Sequence, residues 1–294
     1  MAGHDASMSE TTLGQLQAVG YDARIAQLDR LEWRMLLSHV LRLSRIELIT
    51  QDQRPVSAKE LAQLHSLAAR RLQGEPMAYL LGQREFYGLM LQVTPAVLIP
   101  RPDTETLLEQ ALARLQPGYA ARVLDMGTGS GALAVALAHT RPQCQVVALD
   151  VSEDALQVAR ANAAQHQVTV EFLHSDWFQA LPADVRFDLI MSNPPYIEAH
   201  DPHLQQGDLR FEPLAALTDH DDGLSAIRTI AAGAPQYLLP GGWLLLEHGY
   251  DQASAVRALL AAQDFINIQT LPDLAGIERV TVGARRAVPM PAAG

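Results

Sequence analysis

Along the first 83 residues apolar positions recur at three- and four-residue steps. Ile25, Leu28, Leu31 and Met35 form one stripe with Arg24, Arg30 and Arg34 between them, which predicts an amphipathic helix. Ser57-Ala58-Lys59-Glu60 is a capping-box pattern opening a second helix, whose apolar face is Leu61, Leu64, Ala68 and Leu72. Gly74-Glu75-Pro76 stops it, and a small helical domain over 1–83 follows. The period then changes. Phe86-Tyr87-Gly88 and the run 89–93 read as two short strands of a hairpin, which makes 84–100 a linker. From 101 to 286 short apolar runs alternate with helical stretches; the runs are 123–126, 146–150, 168–173, 187–192, 243–247, 266–271 and 280–282. That alternation predicts a parallel sheet with helices on both faces. The Pro- and Ala-rich stretch 287–294 reads as a frayed tail.

Composition narrows the setting. With 48% hydrophobic and 19% charged residues the chain can bury a sizeable core. The N-terminus carries acid rather than base, and nowhere do about 18 apolar residues run together, so neither a secretory signal nor a membrane span is expected. Cys144 is the single cysteine, which excludes an intrachain disulfide and makes a reducing cytoplasm the expected compartment. The net charge of −11 falls unevenly: residues 1–83 hold nine acids and nine bases, residues 84–294 twenty-four acids and thirteen bases. An acidic domain repels a phosphate backbone, so duplex nucleic acid is a poor partner.

The chemistry concentrates at two turns. Strand 123–126 runs into Gly127-Thr128-Gly129-Ser130-Gly131, and a helix follows from about Ala132. Glycines give such a turn its unusual dihedrals and let a ligand reach the bare backbone, while the helix start offers free N–H groups. Asp150 ends the second strand, where this kind of fold hydrogen-bonds a ribose. Gly127-x-Gly129-x-x-Ala132 also satisfies the looser dinucleotide fingerprint, so at this point a nicotinamide cofactor stays open. Ser175-Asp176-Trp177 after the third strand fits an adenine-side contact, with Asp176 accepting from an amino group and Trp177 packing on a ring.

Asn193-Pro194-Pro195-Tyr196 directly follows the fourth strand, at the end of the sheet where ligands of open α/β folds sit. These residue types suit methylation of a planar nitrogen, whose delocalised lone pair is a poor nucleophile. The Asn193 side-chain oxygen and the Pro194 carbonyl can accept both N–H bonds and aim the lone pair, and the prolines stiffen the loop. Tyr196 can stack on the flat group and on the charge that develops there. Neither a metal nor a strong base is needed. His200-Asp201-Pro202-His203 is a poor metal motif because Pro202 interrupts any regular helix and no cysteine joins it. Glu247-His248, ending an apolar strand, is expected to pack near the site, and Arg210-Phe211-Glu212-Pro213 to lie in a loop that walls it.

Nearly the whole chain resembles the bacterial release-factor glutamine methyltransferases, the HemK family. The resemblance rests on Gly74-Glu75-Pro76, Arg84-Glu85-Phe86-Tyr87, the string Leu98-Ile99-Pro100-Arg101-Pro102-Asp103-Thr104-Glu105, both turns, Phe211-Glu212-Pro213 and Asp273-Leu274-Ala275-Gly276. Phe211 stands where tyrosine is also common. The resemblance implies an α/β fold: a seven-stranded class I S-adenosylmethionine-dependent methyltransferase (Rossmann-like) domain behind a small N-terminal helical domain that recognises substrate. It implies that Gly127, Thr128, Gly129, Ser130, Gly131, Asp150, Trp177 and Asn193 contact S-adenosylmethionine. It implies that Asn193, Pro194, Pro195 and Tyr196 hold the glutamine amide of the Gly-Gly-Gln motif of peptide chain release factors, with Asn193, Pro194 and Tyr196 catalytic. The first rival is a DNA or RNA amino-methyltransferase with the same tetrapeptide, against which the acidic catalytic half argues. The second is a binding module without catalysis, against which the intact Asn193 and glycine turn argue.

Overall fold

The computed structural model describes residues 11–18 and 25–287 and divides the chain into two compact units, 1–82 and 83–294. Most of the tail from 287 on lies outside the described residues, as does Arg24.

The first unit is helical: α1 Leu13–Gln17, α2 Arg30–Leu41, α3 Arg45–Thr50, α4 Ala58–Leu72 and α5 Met77–Leu81. Helix α4 starts as expected, with Ser57 and Glu60 closing a reciprocal capping box. The stripe expected on α2 is corrected. Asp29 caps the helix through the backbone N–H groups of Leu31 and Glu32, so Ile25 and Leu28 precede it and sit in a separate 3-10 turn and its exit. The phase is then set by the more apolar row Trp33, Leu36, Leu37 and Leu41, which is buried, while Leu31 is 66% exposed. Trp33 secures that row by donating its indole N–H to the Leu16 carbonyl at 2.8 Å.

The second unit opens with the hairpin β1 Gln83–Phe86 and β2 Leu89–Gln92. Tyr87 and Gly88, expected in a strand, form its turn instead, with φ of 50° and 78°. Two consecutive left-handed residues match the twist of a two-residue hairpin, and an extended strand cannot hold them. There follow α6 Thr104–Arg114, β3 Arg122–Met126, α7 Ala132–Thr140, β4 Gln145–Asp150, α8 Glu153–Gln165, β5 Val170–His174 and β6 Phe187–Ser192. Then come α9 Leu214–Leu217, α10 Ser225–Tyr237, β7 Leu238–Glu247, α11 Ala253–Ala262, β8 Phe265–Pro272 and β9 Glu278–Arg285.

The seven strands lie in the order β5-β4-β3-β6-β7-β9-β8. The expectation of a parallel sheet holds for five of them; β9 is antiparallel to both its neighbours. The connection from β8 to β9 is too short for a crossover helix, so the chain can only turn back. Side chains alternate across the sheet. Val123 joins the core under α6 and α7, and Leu124 joins the core under α10 and α11. β3 is central, and the strand order reverses around it and β6. That places a crevice at the carboxyl ends of β3, β4 and β6.

Candidate active site

The glycine turn leaves β3 with Gly127, Gly129 and Gly131 all at positive φ, 71°, 54° and 81°. The N–H groups of Gly127 and Thr128 both donate to the Leu149 carbonyl at 2.9 Å, which ties the turn to β4. Two of these glycines serve opposite ends. A Cβ on Gly131 would stand 3.0 Å from the Ala159 Cβ, so glycine there lets α8 pack against the start of α7. A Cβ on Gly129 would meet nothing within 4 Å: that backbone faces open space. Thr128 turns inward and donates its hydroxyl to Asp125 Oδ2 at 2.6 Å. Asp125 is fully buried, and burial pushes its carboxyl up to about 7. Ser130 is also buried; its carbonyl accepts from Asn162 Nδ2 at 2.8 Å, and Asn162 Oδ1 accepts from the Gln92 N–H at 2.7 Å, joining the turn to the hairpin.

Asp150 stands across the turn. Its Oδ2 accepts from the Gly129 N–H and its Oδ1 from the Ser152 N–H, both at 2.9 Å, which holds the carboxylate still with lone pairs to spare. Burial raises its pKa against those hydrogen bonds. Trp177 has φ 46°, and its carbonyl accepts from the Ser175 hydroxyl at 2.7 Å. Gly127, Gly129, Asp150, Trp177, Asn193 and Pro195 surround one cavity of about 220 Å³, which Asp176 also lines. The side chains named from the two turns and the third strand therefore converge.

At the end of β6, Asn193 donates its Nδ2 to the Thr104 Oγ1 at 3.2 Å, on the first residue of α6. Asn193 is shared by three cavities: the large one, one of about 60 Å³ with Arg101, Pro194, Tyr196 and Leu217, and one of about 50 Å³ with Thr128, Gly129 and Ser130. Pro194 and Pro195 thus face different spaces, Pro195 lining the large cavity and Pro194 the smaller one. Tyr196 donates its hydroxyl to Glu247 Oε1 at 3.2 Å, and burial pushes that hydroxyl well above its ordinary pKa. Glu247 is 1% exposed, and burial pushes its carboxyl up to about 7 against the pull of the Thr104 hydroxyl and Arg279.

The loop around Phe211 walls the site, and Glu212 is its latch. The Glu212 carboxylate accepts from the Ile99 N–H at 3.2 Å and pairs with Arg101, joining the 98–101 segment to the loop. His248 is buried against Thr281 and Gly249, as packing requires. His203 pairs with Asp201 on the surface, and among the described residues no three His, Cys, Asp or Glu side chains come together as a metal site would need. Asn162 carries no functional sign in the sequence, and Thr104 and Glu212 carry one only as members of the family strings 98–105 and 211–213.

Known proteins decide between the remaining readings. The Methyltransferase small domain family matches residues 102–208, and the PrmC N-terminal domain family matches 22–82. A release factor glutamine methyltransferase of Bordetella pertussis is 57% identical over 256 residues, covering 87% of this chain and 95% of the relative. One from Neisseria gonorrhoeae is 53% identical over 260 residues, covering 88% and 94%. The chain belongs to the release factor glutamine methyltransferase family. It is therefore an S-adenosylmethionine-dependent methyltransferase, and the nicotinamide reading of the glycine turn falls away. Among solved structures, a Pyrococcus furiosus methyltransferase is 18% identical with a TM-score of 0.53, covering 75% of this chain and 98% of its own. The Thermus thermophilus 16S rRNA N2 G1207 methyltransferase is 24% identical with a TM-score of 0.51, covering 69% and 50%. These two share the class I methyltransferase fold with this family member. No helix among the described residues is long and apolar enough to cross a membrane.

Proposed function

We propose that this enzyme transfers the methyl group of S-adenosylmethionine to the side-chain amide nitrogen (N5) of the glutamine in the Gly-Gly-Gln motif of peptide chain release factors. The observation that carries this reading is the placement of Asn193. Its Nδ2 is tied to Thr104, which leaves its Oδ1 as a fixed acceptor where the cavities meet.

The residues present fit the methyl donor, because the open backbone at Gly129 and the Asp150 carboxylate form a cradle that any Cβ would begin to fill. Residues 127–131, Asp150, Trp177 and Asn193 would hold it. When bound, S-adenosylmethionine supplies a methyl group on a positive sulfur. Asn193 Oδ1 and the Pro194 carbonyl accept the two amide N–H bonds and turn the nitrogen lone pair toward the large cavity. Pro195 stiffens the loop between the two cavities, and the Tyr196 ring backs the amide plane. The N–C bond forms as the S–C bond breaks, and the amide then loses one proton to water. The helical unit recognises the substrate; Leu31, Ile46 and Ile49, each more than 65% exposed, support that role. A substrate of the translation machinery and a single cysteine agree with the cytoplasm.

Incubation with a radiolabelled methyl donor, a purified release factor and ribosomal RNA side by side tests the proposal. Peptide mass spectrometry should find one added methyl on the glutamine of Gly-Gly-Gln. Label on the RNA, or on another residue of the release factor, would overturn it in favour of the nucleic-acid reading or another protein target.

A further inference from the structure

Strands β7 and β9 pair antiparallel as far as Glu247 and Val280. One residue further, the His248 N–H donates to the Arg279 carbonyl at 3.0 Å. Both chains leave the sheet there, at the end that carries the Asn193 loop, since Glu247 also takes the Tyr196 hydroxyl. β7 runs on to Tyr250, which is 73% exposed. β9 is entered from Leu274, 98% exposed, and Ile277, 42% exposed. The pairing that sets His248 against Arg279 brings Tyr250 and Ile277 to the same edge. A single exposed leucine is ordinary, but large apolar side chains gathered on one rim mark an interaction site.

The turn that presents Leu274 is firmly held. Asp273 is buried; its Oδ1 accepts from the Ala275 N–H at 2.9 Å and the Ile277 N–H at 3.0 Å, and its Oδ2 from Arg279 Nε at 3.3 Å. The Asp273 N–H donates to the Ile277 carbonyl at 2.8 Å, and the Gly276 N–H to the Asp273 carbonyl at 3.0 Å. Arg279 also reaches Asp103 at 3.7 Å. Asp103 precedes Thr104, the residue that takes the Asn193 Nδ2, so the turn is braced against the same helix start as the catalytic loop. A side chain left in water on a turn fixed in this way loses little further freedom when a partner covers it.

We propose that Leu274, with Ile277 and Tyr250 beside it, is a docking contact on the methyltransferase unit for the release factor, next to the loop that takes the glutamine. The inference rests on the release-factor reading of the site. The glutamine is one side chain of a folded protein, so when it enters the cavities its surroundings must lie against their rim, and this edge is part of that rim. Asp103, Asp251 and Glu278 set exposed carboxylates around the apolar side chains. The release-factor surface that fits is therefore one that offers an apolar side chain among basic ones.

The test uses the full-length enzyme in steady-state methylation of a purified release factor. Calorimetry measures the Kd of that factor for enzyme loaded with S-adenosylhomocysteine, the demethylated donor. Leu274→Ala and Leu274→Ser should raise KM and Kd for the release factor roughly five- to twentyfold, the scale of a lost apolar contact. Leu274→Met, which keeps an apolar side chain of similar reach, should stay within about twofold of the wild type. In all three variants kcat at saturating release factor, and affinity for S-adenosylmethionine, should stay within about twofold, because the turn touches neither reacting group. Leu239→Ala, at the opposite end of β7, should leave KM unchanged. Wild-type KM and Kd in both the alanine and serine variants would overturn the docking contact. So would an equal rise in Leu239→Ala, or a fall in kcat or donor affinity as large as the rise in KM. A wild-type enzyme that left the release factor unmethylated would instead overturn the substrate reading, and the occupant of this edge with it. Methylation by the wild type with Leu274 variants no different from it would leave that reading standing and remove the docking contact alone.

Discussion

On the proposed function, the two turns of the candidate site recognise their ligands by opposite means. The turn 127–131 works by absence: bare backbone at positive φ, with open space beside Gly129. The loop 193–196 works by presence, with the Asn193 and Tyr196 donors taken up by Thr104 and Glu247 behind them, which leaves Asn193 Oδ1 to accept. A site of the first kind tolerates loss of side chains and fails when atoms are added. A site of the second kind tolerates little loss, because each removed atom strands a buried partner. The methyl donor is large and can be gripped by shape. The substrate amide is small, and only hydrogen bonds can aim it.

The sharpest way to break this comparison is Asn193→Ala. It removes the acceptor at the junction of the cavities, and kcat should fall by roughly a hundredfold or more while donor affinity changes little. Asn193→Asp keeps an acceptor but loses the donor to Thr104, and should fall between. Steady-state methylation of release factor with donor titration by calorimetry measures both; a fully active alanine variant would leave the loop a mere turn.

Next in size is a pH effect from the two buried carboxyls, Asp125 behind the glycine turn and Glu247 behind the loop, each raised to about 7 by burial. A raised carboxyl binds its proton more tightly folded than unfolded. Its contribution to stability is therefore complete below about pH 4, and it is lost as pH rises through about 7, by up to on the order of 3 kcal/mol per group. The Tm of the wild type should fall between pH 5 and 8 relative to that of Asp125→Asn or Glu247→Gln, which cannot titrate there. Parallel pH profiles would show that these carboxyls keep ordinary pKa values.

Within the glycine turn the effects should split. Gly131→Ala meets Ala159 and a strained φ and should cost about 2 kcal/mol of stability, whereas Gly129→Ala has room and should cost about 1 kcal/mol while weakening donor binding. Thermal unfolding alongside donor titration separates the two, and equal effects at both positions would erase the distinction between packing and ligand glycines.

The smallest change is expected from Asp150→Ala. Its two backbone partners can turn to water, so donor affinity should weaken by up to about tenfold with little loss of fold. Unchanged affinity in calorimetry would remove Asp150 from the cradle.

Much of this architecture was legible beforehand. The strands 145–150 and 187–192 are written as apolar runs that meet turn residues, and Ser57 with Glu60 three residues on marks the start of its helix. The misreadings share a cause. Leu31 and Met35 look like a core stripe until Asp29 is known to reset the helix start, and Tyr87 looks like a strand residue until Gly88 makes a left-handed turn possible. In both cases one local capping or turning residue outweighed a plausible period.

What the sequence determined by itself is therefore whatever acts over a few residues: the glycine turn after a strand, the Asn-Pro-Pro-Tyr loop after another, and the change of period between the units. What only the tertiary structure decided are the partners that make those turns work. Asn193 meets Thr104 across 89 positions, Tyr196 meets Glu247 across 51, and Ile99 meets Glu212 across 113. Those contacts depend on strand order, because Glu247 reaches Tyr196 only if β7 lies beside β6. Strand order is set by how the two faces of the sheet bury their apolar rows against the helices. No stretch of a few residues contains that information, since it is a property of the whole core.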